Sequence, residues 1–185
     1  MMGFLRGAVA RRKTIVISGR TGSGKNTLLN AMVKEIPRTE RLLVIEDAPE
    51  VRMDHPNAMG LISVRGELGE AQVDTDTLLA AALRLRPDRI LLGELRGREA
   101  FAFMRAVNSG HPGSITTIHA DSPAGALDQI SLLALTAGID RGGDKVQAYV
   151  GRVVDVVVQL DRTQGARRLT EVLFSSRQYR RRSTD

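Results

Sequence analysis

Residues Gly19–Asn26 read GRTGSGKN, directly after the apolar run Thr14-Ile15-Val16-Ile17 and before Thr27-Leu28-Leu29-Asn30-Ala31-Met32. An apolar strand, a glycine-rich loop closed by lysine and a helix, in that order, form the context in which a phosphate-binding loop is credible. Glycines at 19, 22 and 24 let the backbone turn so that its N–H groups face an anion. A helix opening at Lys25 adds the positive end of its dipole, and Lys25 itself brings a compact cation to the terminal phosphates. The alternative, a glycine-rich turn with no ligand, leaves the agreement of spacing, lysine and flanking pattern as coincidence. One position departs from the pattern. A hydroxyl should follow the lysine, where it would sit on magnesium, but this chain has Asn26. Its carboxamide oxygen is on a longer arm and competes with an NH₂ donor. Thr27 cannot easily stand in, because the next residue on a helix points about 100° away.

Outward from the loop, apolar runs alternate with helical patterns. Thr14 to Ser18 reads as a strand, Lys25 to Ile36 as a helix stopped before Pro37, and Leu42 to Ile45 as a second strand. Asp47 to Gly60, with two prolines, reads as a loop, and Leu61 to Val64 as a short strand. Asp76 to Leu85 is a helix with Leu78, Leu79, Ala82 and Leu83 on one face. Ile90 to Leu92 is a strand, Arg98 to Asn108 a helix and Ser114 to Ile118 a strand. Ser122 to Leu135 is a helix opened by the Ser-Pro of a cap and first turn. Strands alternating with helices imply βαβ units and an α/β fold with a mostly parallel sheet flanked by helices. Val153 to Leu160 and Arg168 to Phe174 surround a polar, glycine-containing turn and read as a terminal antiparallel hairpin.

At 185 residues the chain suits one domain with a proper core. The expected division is a basic linker over 1–13, a nucleotide-binding domain over 14–176 and a basic tail over 177–185. Aromatics are only 3%, so the core must be built from Ala, Val, Ile and Leu. With no cysteine, disulfides and Cys-ligated metal are excluded. No apolar run reaches the roughly 20 residues that span a bilayer. The net charge of +6 is concentrated at the ends: Arg6, Arg11, Arg12 and Lys13 with no acid, and Arg177, Arg180, Arg181 and Arg182 against Asp185. The remainder is close to neutral, so the ends read as solvated tails. A DNA-binding module, the reading those arginines would support, lacks aromatic interleaving and any groove-reading motif.

Acids follow two of the strands. Glu46 and Asp47 end the run Arg41-Leu42-Leu43-Val44-Ile45, and Glu94 closes Arg89-Ile90-Leu91-Leu92-Gly93. In a parallel sheet ligands collect at the carboxyl ends of the strands, the edge that carries the glycine loop. Glu46 is therefore placed to orient or deprotonate a water attacking a γ-phosphate, although a strand end and turn cap explain Glu46-Asp47 equally well. Glu94 occupies the place where an acid supports magnesium directly or through water. Asp88 lies too early for that and reads with Arg86-Pro87 as the turn into the strand. His111 and His119 flank the strand Ser114 to Ile118. His119 falls on the same edge as Glu46 and Glu94, where an imidazole could sense a γ-phosphate. Two histidines with no cysteine make a poor zinc site.

The strings GRTGSGKN, VIEDAPE, RPDRILLGELRG and NSGHPGSITTIHADSP, in this order, resemble the secretion-ATPase superfamily, the hexameric traffic ATPases of type II and type IV secretion and type IV pili. Glu46 to Glu50 with Asp54-His55-Pro56-Asn57 look most like the type IV secretion and conjugative DNA-transfer branch. The resemblance covers roughly residues 5 to 175. It implies a RecA-like P-loop NTPase core, ATP with Mg²⁺ as the bound species, and motor activity that powers substrate export or pilus assembly. The loop residues Gly19, Thr21, Gly22, Ser23, Gly24, Lys25, Asn26 and Thr27 would bind the nucleotide. Glu46 would be the catalytic base, Glu94 would support magnesium and the water network, and His119, less surely His111, would belong to a histidine box. Asn26 and Glu94 would be the protein's weak or indirect contacts to Mg²⁺. Arg65, Arg84 or Arg86 would reach a nucleotide across a subunit boundary. The resemblance further implies a homo-oligomer, in the full-length family a hexameric ring, bound to inner-membrane secretion components on the cytoplasmic side, with nucleic acid only as a cargo.

Two departures weigh against turnover. Asn26 removes a hydroxyl that neutralises charge during transfer, and losing one such contact commonly costs about 10²–10³ in rate. The family carries a separate amino-terminal domain, whereas the glycine loop here begins within the first twenty residues, so the chain is expected to be the carboxyl-terminal half. The competing expectation is a nucleotide-binding assembly subunit of the same machinery that does not hydrolyse.

Overall fold

A computed structural model of the chain describes residues 2–64, 73–138 and 142–174. Seven strands form one sheet in the order β3-β2-β4-β5-β1-β6-β7. They are β1 (Ile15–Gly19), β2 (Leu42–Glu46), β3 (Ala58–Ile62), β4 (Arg89–Leu92), β5 (Ile115–Ile118), β6 (Val156–Thr163) and β7 (Ala166–Phe174). All neighbours pair in parallel except β6 and β7, which form the antiparallel hairpin. The helices are α1 (Met2–Ala10), α2 (Lys25–Val33), α3 (Thr75–Arg84), α4 (Glu99–Asn108), α5 (Pro123–Leu135) and α6 (Gly143–Val153). The α/β architecture expected from the sequence is therefore present.

The period-two geometry of strands divides the core cleanly. On β2, Leu42 and Val44 pack on the face covered by α1 and α2, while Leu43 and Ile45 pack on the face covered by α3 to α6. β4 splits likewise, with Leu91 on one side and Ile90 and Leu92 on the other. Both faces are buried, which is why these strands read as continuous apolar runs. The core is aliphatic as expected, with Phe103 and Met104 of α4 added, both fully buried. At the start of α5 the Ser122 side chain accepts a hydrogen bond from Gly125 N at 3.0 Å, and Pro123 sits in the first turn, as the Ser-Pro signature requires.

Several expectations need correction. The basic stretch at the start is not a linker over its whole length: residues 2–10 form α1, and Leu5, Ala8 and Val9 are buried against the α2 face. Its cations remain partly exposed, but three of them have partners. Arg6 pairs with Glu35, Arg12 with Glu40 and Lys13 with Asp155, so these three charges are each matched by an acid of the protein body. The basic tail 177–185 lies outside the described residues. Helix α2 ends at Val33, before the expected Ile36, and β3 begins three residues before the expected Leu61. Val153 closes α6 rather than opening a strand; α6 buries Val146, Val150 and Val153 along one stripe, and β6 starts at Val156.

The sheet is braced at the end opposite the glycine loop. Arg89, with no exposed surface, donates to both carboxylate oxygens of Glu40 at 2.5 and 3.1 Å and to the Val9 carbonyl at 2.9 Å. The turn before β5 is shaped around it, for a Cβ on Gly113 (φ +85°) would lie 2.8 Å from Arg89 Nη1. Asp88 accepts from Arg41 N at 2.7 Å, so Arg86-Pro87-Asp88 is the turn into β4 that the sequence suggested.

Candidate active site

The site is built by register. β1 and β5 align Ile17 with Thr117 and Ser18 with Ile118, so Gly19 and His119 leave the sheet side by side. β2 and β4 align Ile45 with Leu92, which sets Glu46 beside Gly93. A Cβ on Gly93 would come within 3.3 Å of Glu46 Cγ, so the glycine makes room for that carboxylate. The sheet thereby delivers the loop, Glu46, Glu94 and His119 to one rim. They line a cleft of about 480 Å³ together with Thr21 to Thr27, Asp47, Glu50, Arg96 and Arg167.

The loop adopts the conformation its glycines permit. Gly19 has φ +155° and Gly24 φ +100°; a Cβ on Gly19 would fall 2.5 Å from the Leu160 carbonyl oxygen, a distance no side chain tolerates. Gly24 caps α2 without a side-chain hydrogen bond, leaving the first amides of the helix for an anion. Ser23 Oγ is buried with no partner among the described residues. An orphaned hydroxyl in a cradle of amides fits a phosphate oxygen.

Lys25 is largely buried. Its Nζ donates to the Gly19 carbonyl at 2.9 Å and contacts His119 Nδ1 at 3.2 Å. An ammonium only donates, so in this contact His119 Nδ1 is the acceptor. His119 Nε2 lies 2.6 Å from Glu94 Oε1, a close approach without hydrogen-bond alignment, and that buried oxygen has no hydrogen-bond partner among the described residues. Glu94 Oε2 in turn takes Arg96 Nε at 2.7 Å, and Arg96 Nη1 reaches Asp47. Lysine contacts imidazole, and carboxylate holds guanidinium, so these charged groups stand side by side in the cleft. Burial pulls the Lys25 ammonium below its ordinary value, with Glu94 opposing.

Glu46 is only 6% exposed. Its Oε1 accepts from the backbone N of Glu50 at 3.1 Å and of Val51 at 2.9 Å. Burial pushes its carboxyl above the usual carboxylate range, and those two amides pull the other way. Oε1 is committed to the turn, so Oε2 is the oxygen left for a water. The strand-end reading and the catalytic reading of Glu46 are therefore compatible, one for each oxygen.

Other sequence candidates fall elsewhere. His111 sits at the far end of β5, its Nδ1 2.9 Å from the Ala106 carbonyl. Arg84 and Arg86 lie where α3 turns into the amino-terminal end of β4, away from the cleft of their own chain. Arg65 lies outside the described residues.

Three charged residues in the cleft were given no role by the sequence reading. Arg96 and Glu50 were at least inside the quoted strings, but Arg167 carries no local signal. It comes from the β6–β7 hairpin, donates to the Gly22 carbonyl at 3.2 Å, and lays its stem over Gly24, where a Cβ would meet Arg167 Cδ at 3.0 Å. A guanidinium so placed suits a nucleotide phosphate. Arg167→Ala is expected to weaken ATP binding about ten-fold, the scale of one charged hydrogen bond, as read by titration of a fluorescent ATP analogue.

Comparison with known proteins places the chain in a family and agrees with the fold. Residues 1–184 match the family described as "Type II/IV secretion system protein". The type IV secretion system protein VirB11 of Bartonella quintana is 43% identical over 175 residues, covering 94% of this chain and 49% of that protein. The crystal structure of the VirB11 ATPase from the Brucella suis type IV secretion system, in complex with sulphate, superposes with a TM-score of 0.87 at 40% identity, over 94% of this chain and 51% of that one. The pilus retraction motor PilT with bound ADP gives a TM-score of 0.70 at 25% identity, over 93% and 50%. The chain spans about half the length of these relatives. With the ordered sequence boxes and the mostly parallel sheet in place, the chain belongs to the type II/IV secretion system protein family and is similar to its type IV secretion branch.

Proposed function

We propose that this chain is the nucleotide-binding half of a type IV secretion traffic ATPase, which binds ATP with Mg²⁺ and hydrolyses it to power substrate export or pilus assembly. One observation carries the reading: Lys25, Glu46, Glu94 and His119, contributed by four different elements, line one cleft with the glycine loop. The related Brucella suis protein is described with sulphate, a tetrahedral oxyanion like phosphate, and PilT with ADP.

The residues fit both groups. For ATP there are the loop amides, the unpartnered Ser23 Oγ and the ammonium of Lys25. For magnesium, no group of three or more His, Asp and Glu among the described residues forms a closed metal cage. That suits an ion which keeps its waters and relies on one or two carboxylates plus substrate phosphates. Bound magnesium would neutralise charge on the phosphates. Lys25 would exchange its present carbonyl partners for the terminal phosphates. Glu46 Oε2 would orient the attacking water and accept its proton. Glu94, already held by Arg96, would act on the metal through water, and His119, lying between Lys25 and Glu94, would sense the γ-phosphate through the Lys25 ammonium that binds it. The working assembly is a homo-oligomeric ring attached to inner-membrane secretion components at the cytoplasmic face, with nucleic acid entering only as cargo. No helix among the described residues is long and apolar enough to cross a membrane.

The second reading, a nucleotide-binding subunit without turnover, is favoured by Asn26 alone. Phosphate release measured with Mg-ATP tests both. Steady release by the native chain, abolished together with ATP binding in Lys25→Ala, is the expected result. Binding without release selects the second reading, and release unaffected by Lys25→Ala overturns the site.

A further inference from the structure

The residue after the loop lysine is the one place where this chain breaks its own motif, and the structure shows what the replacement does. Asn26 Nδ2 donates to the Glu50 carboxylate. The assignment of oxygen and nitrogen follows from chemistry, since an ionised carboxylate only accepts. One turn further along α2, Asn30 Nδ2 donates to the Glu50 carbonyl at 3.1 Å, and Asn30 Oδ1 accepts from Arg52 N at 2.6 Å. Residues four apart on a helix share a face, so the two asparagines form a clamp on the loop that follows β2. The third fixed point is the Glu50 backbone N, held by Glu46 Oε1 at 3.1 Å. The result is an exposed carboxylate placed deliberately on the cleft wall, close enough to act on the charges of Lys25, Arg96 and Glu46.

We propose that Asn26 and Glu50 together replace the missing hydroxyl: the asparagine holds Glu50 in the cleft, and the Glu50 carboxylate supplies the protein's oxygen to the magnesium of a Mg-nucleotide. The inference rests on the nucleotide-binding reading of the same site. A hydroxyl contributes a neutral oxygen, whereas Glu50 contributes a charged one, which suits a hard cation better. Asn26 on this view is an orienting residue and not a lesion. Because the protein alone offers no cage, metal should bind appreciably only with the nucleotide.

The test is the ratio of ATP affinities measured with magnesium and with EDTA, using a fluorescent ATP analogue, in a double-mutant cycle. Glu50→Gln keeps the size of the side chain and its ability to accept from Asn26. In the native background it should reduce the magnesium-to-EDTA ratio about ten-fold or more, the scale of an altered metal shell. Affinity in EDTA should hold or rise modestly, because a negative charge facing the bare phosphates is gone, which shows the loop still folds. Affinity in magnesium must itself fall, since a lower ratio caused only by tighter binding in EDTA would overturn the proposal. In an Asn26→Thr background, where the hydroxyl is restored, Glu50→Gln should change the ratio less than about three-fold. Equal losses in both backgrounds, or no loss in the native one, overturn the proposal while the nucleotide site stands. A ratio left intact with hydrolysis abolished would assign Glu50 to the water and equally overturn it. If the native chain binds no ATP in either buffer, the nucleotide reading itself has failed and the proposal with it.

Discussion

Glu46→Gln is expected to lower kcat about 10²–10⁴-fold, the usual contribution of a positioned general base, while changing ATP affinity no more than a few-fold. The substitution is nearly isosteric, and the glutamine oxygen can keep accepting from the amides of Glu50 and Val51 that now hold Oε1. What it cannot do is take a proton from water. Single-turnover hydrolysis beside equilibrium nucleotide binding separates the two effects. A pH profile adds a second check. Burial raises the carboxyl of Glu46 above its usual range, and the base must be ionised to work. The acid limb of kcat/KM should therefore lie above the pH at which an ordinary carboxylate titrates, and it should vanish in Glu46→Gln. Hydrolysis that survives the substitution at full rate would remove Glu46 from the chemistry.

Arg89→Met should cost about 3–5 kcal/mol of stability, the penalty for stranding one member of a buried ion pair. For a chain of this size that corresponds to a fall of roughly 10 °C in the thermal midpoint. The guanidinium has no exposed surface, and Glu40 is only 7% exposed, so methionine fills the volume but leaves the carboxylate poorly solvated. Arg12 Nη2, 3.3 Å from Glu40, offsets part of the loss. Adding Glu40→Gln to Arg89→Met should recover stability, since the stranded charge is then gone. The pair also has a pH signature. The Arg89 hydrogen bond holds the Glu40 carboxyl below its usual range, with burial opposing. A depressed value means that the contribution is complete above the ordinary carboxylate range and is lost as pH falls through the folded-state value. Urea midpoints measured down through the acid range should fall for the native chain and flatten in Arg89→Met.

The glycine loop and the alternating pattern made the fold legible, because both strand faces are buried and every βα step carries its own signal. The misses have local causes. In α1 the apolar positions Leu5, Ala8 and Val9 are interrupted by Gly3, Gly7 and Arg6, so tertiary packing and not propensity makes the helix. The run Val153-Val154-Asp155-Val156-Val157-Val158 looks like one strand throughout, yet α6 claims its first residue because Val146, Val150 and Val153 share a buried stripe. Ala58-Met59-Gly60 has weak strand character and is recruited by pairing with β2. At the site, the acids and the imidazole were readable because parallel strands deliver their carboxyl ends to one rim. Arg167 was not, for it meets the loop across 145 positions of sequence. The Asn26–Glu50 contact was not readable either, since that partner is identifiable only from the folded loop.

The sheet order carries a consequence for biosynthesis. β1, which holds the glycine loop, is central and pairs with β5 and β6, neither of which is its neighbour along the chain. A nascent polypeptide emerging from the ribosome therefore exposes Ile15, Val16 and Ile17 with no strand beside them until Ile115–Ile118 has been synthesised. The second flank closes only when Val156–Thr163 has followed. Such late, long-range closure slows folding and prolongs the exposure of an adhesive apolar segment. Truncated translation products ending before β5 should therefore aggregate or engage chaperones, whereas those ending after β7 should acquire protease resistance in a single step.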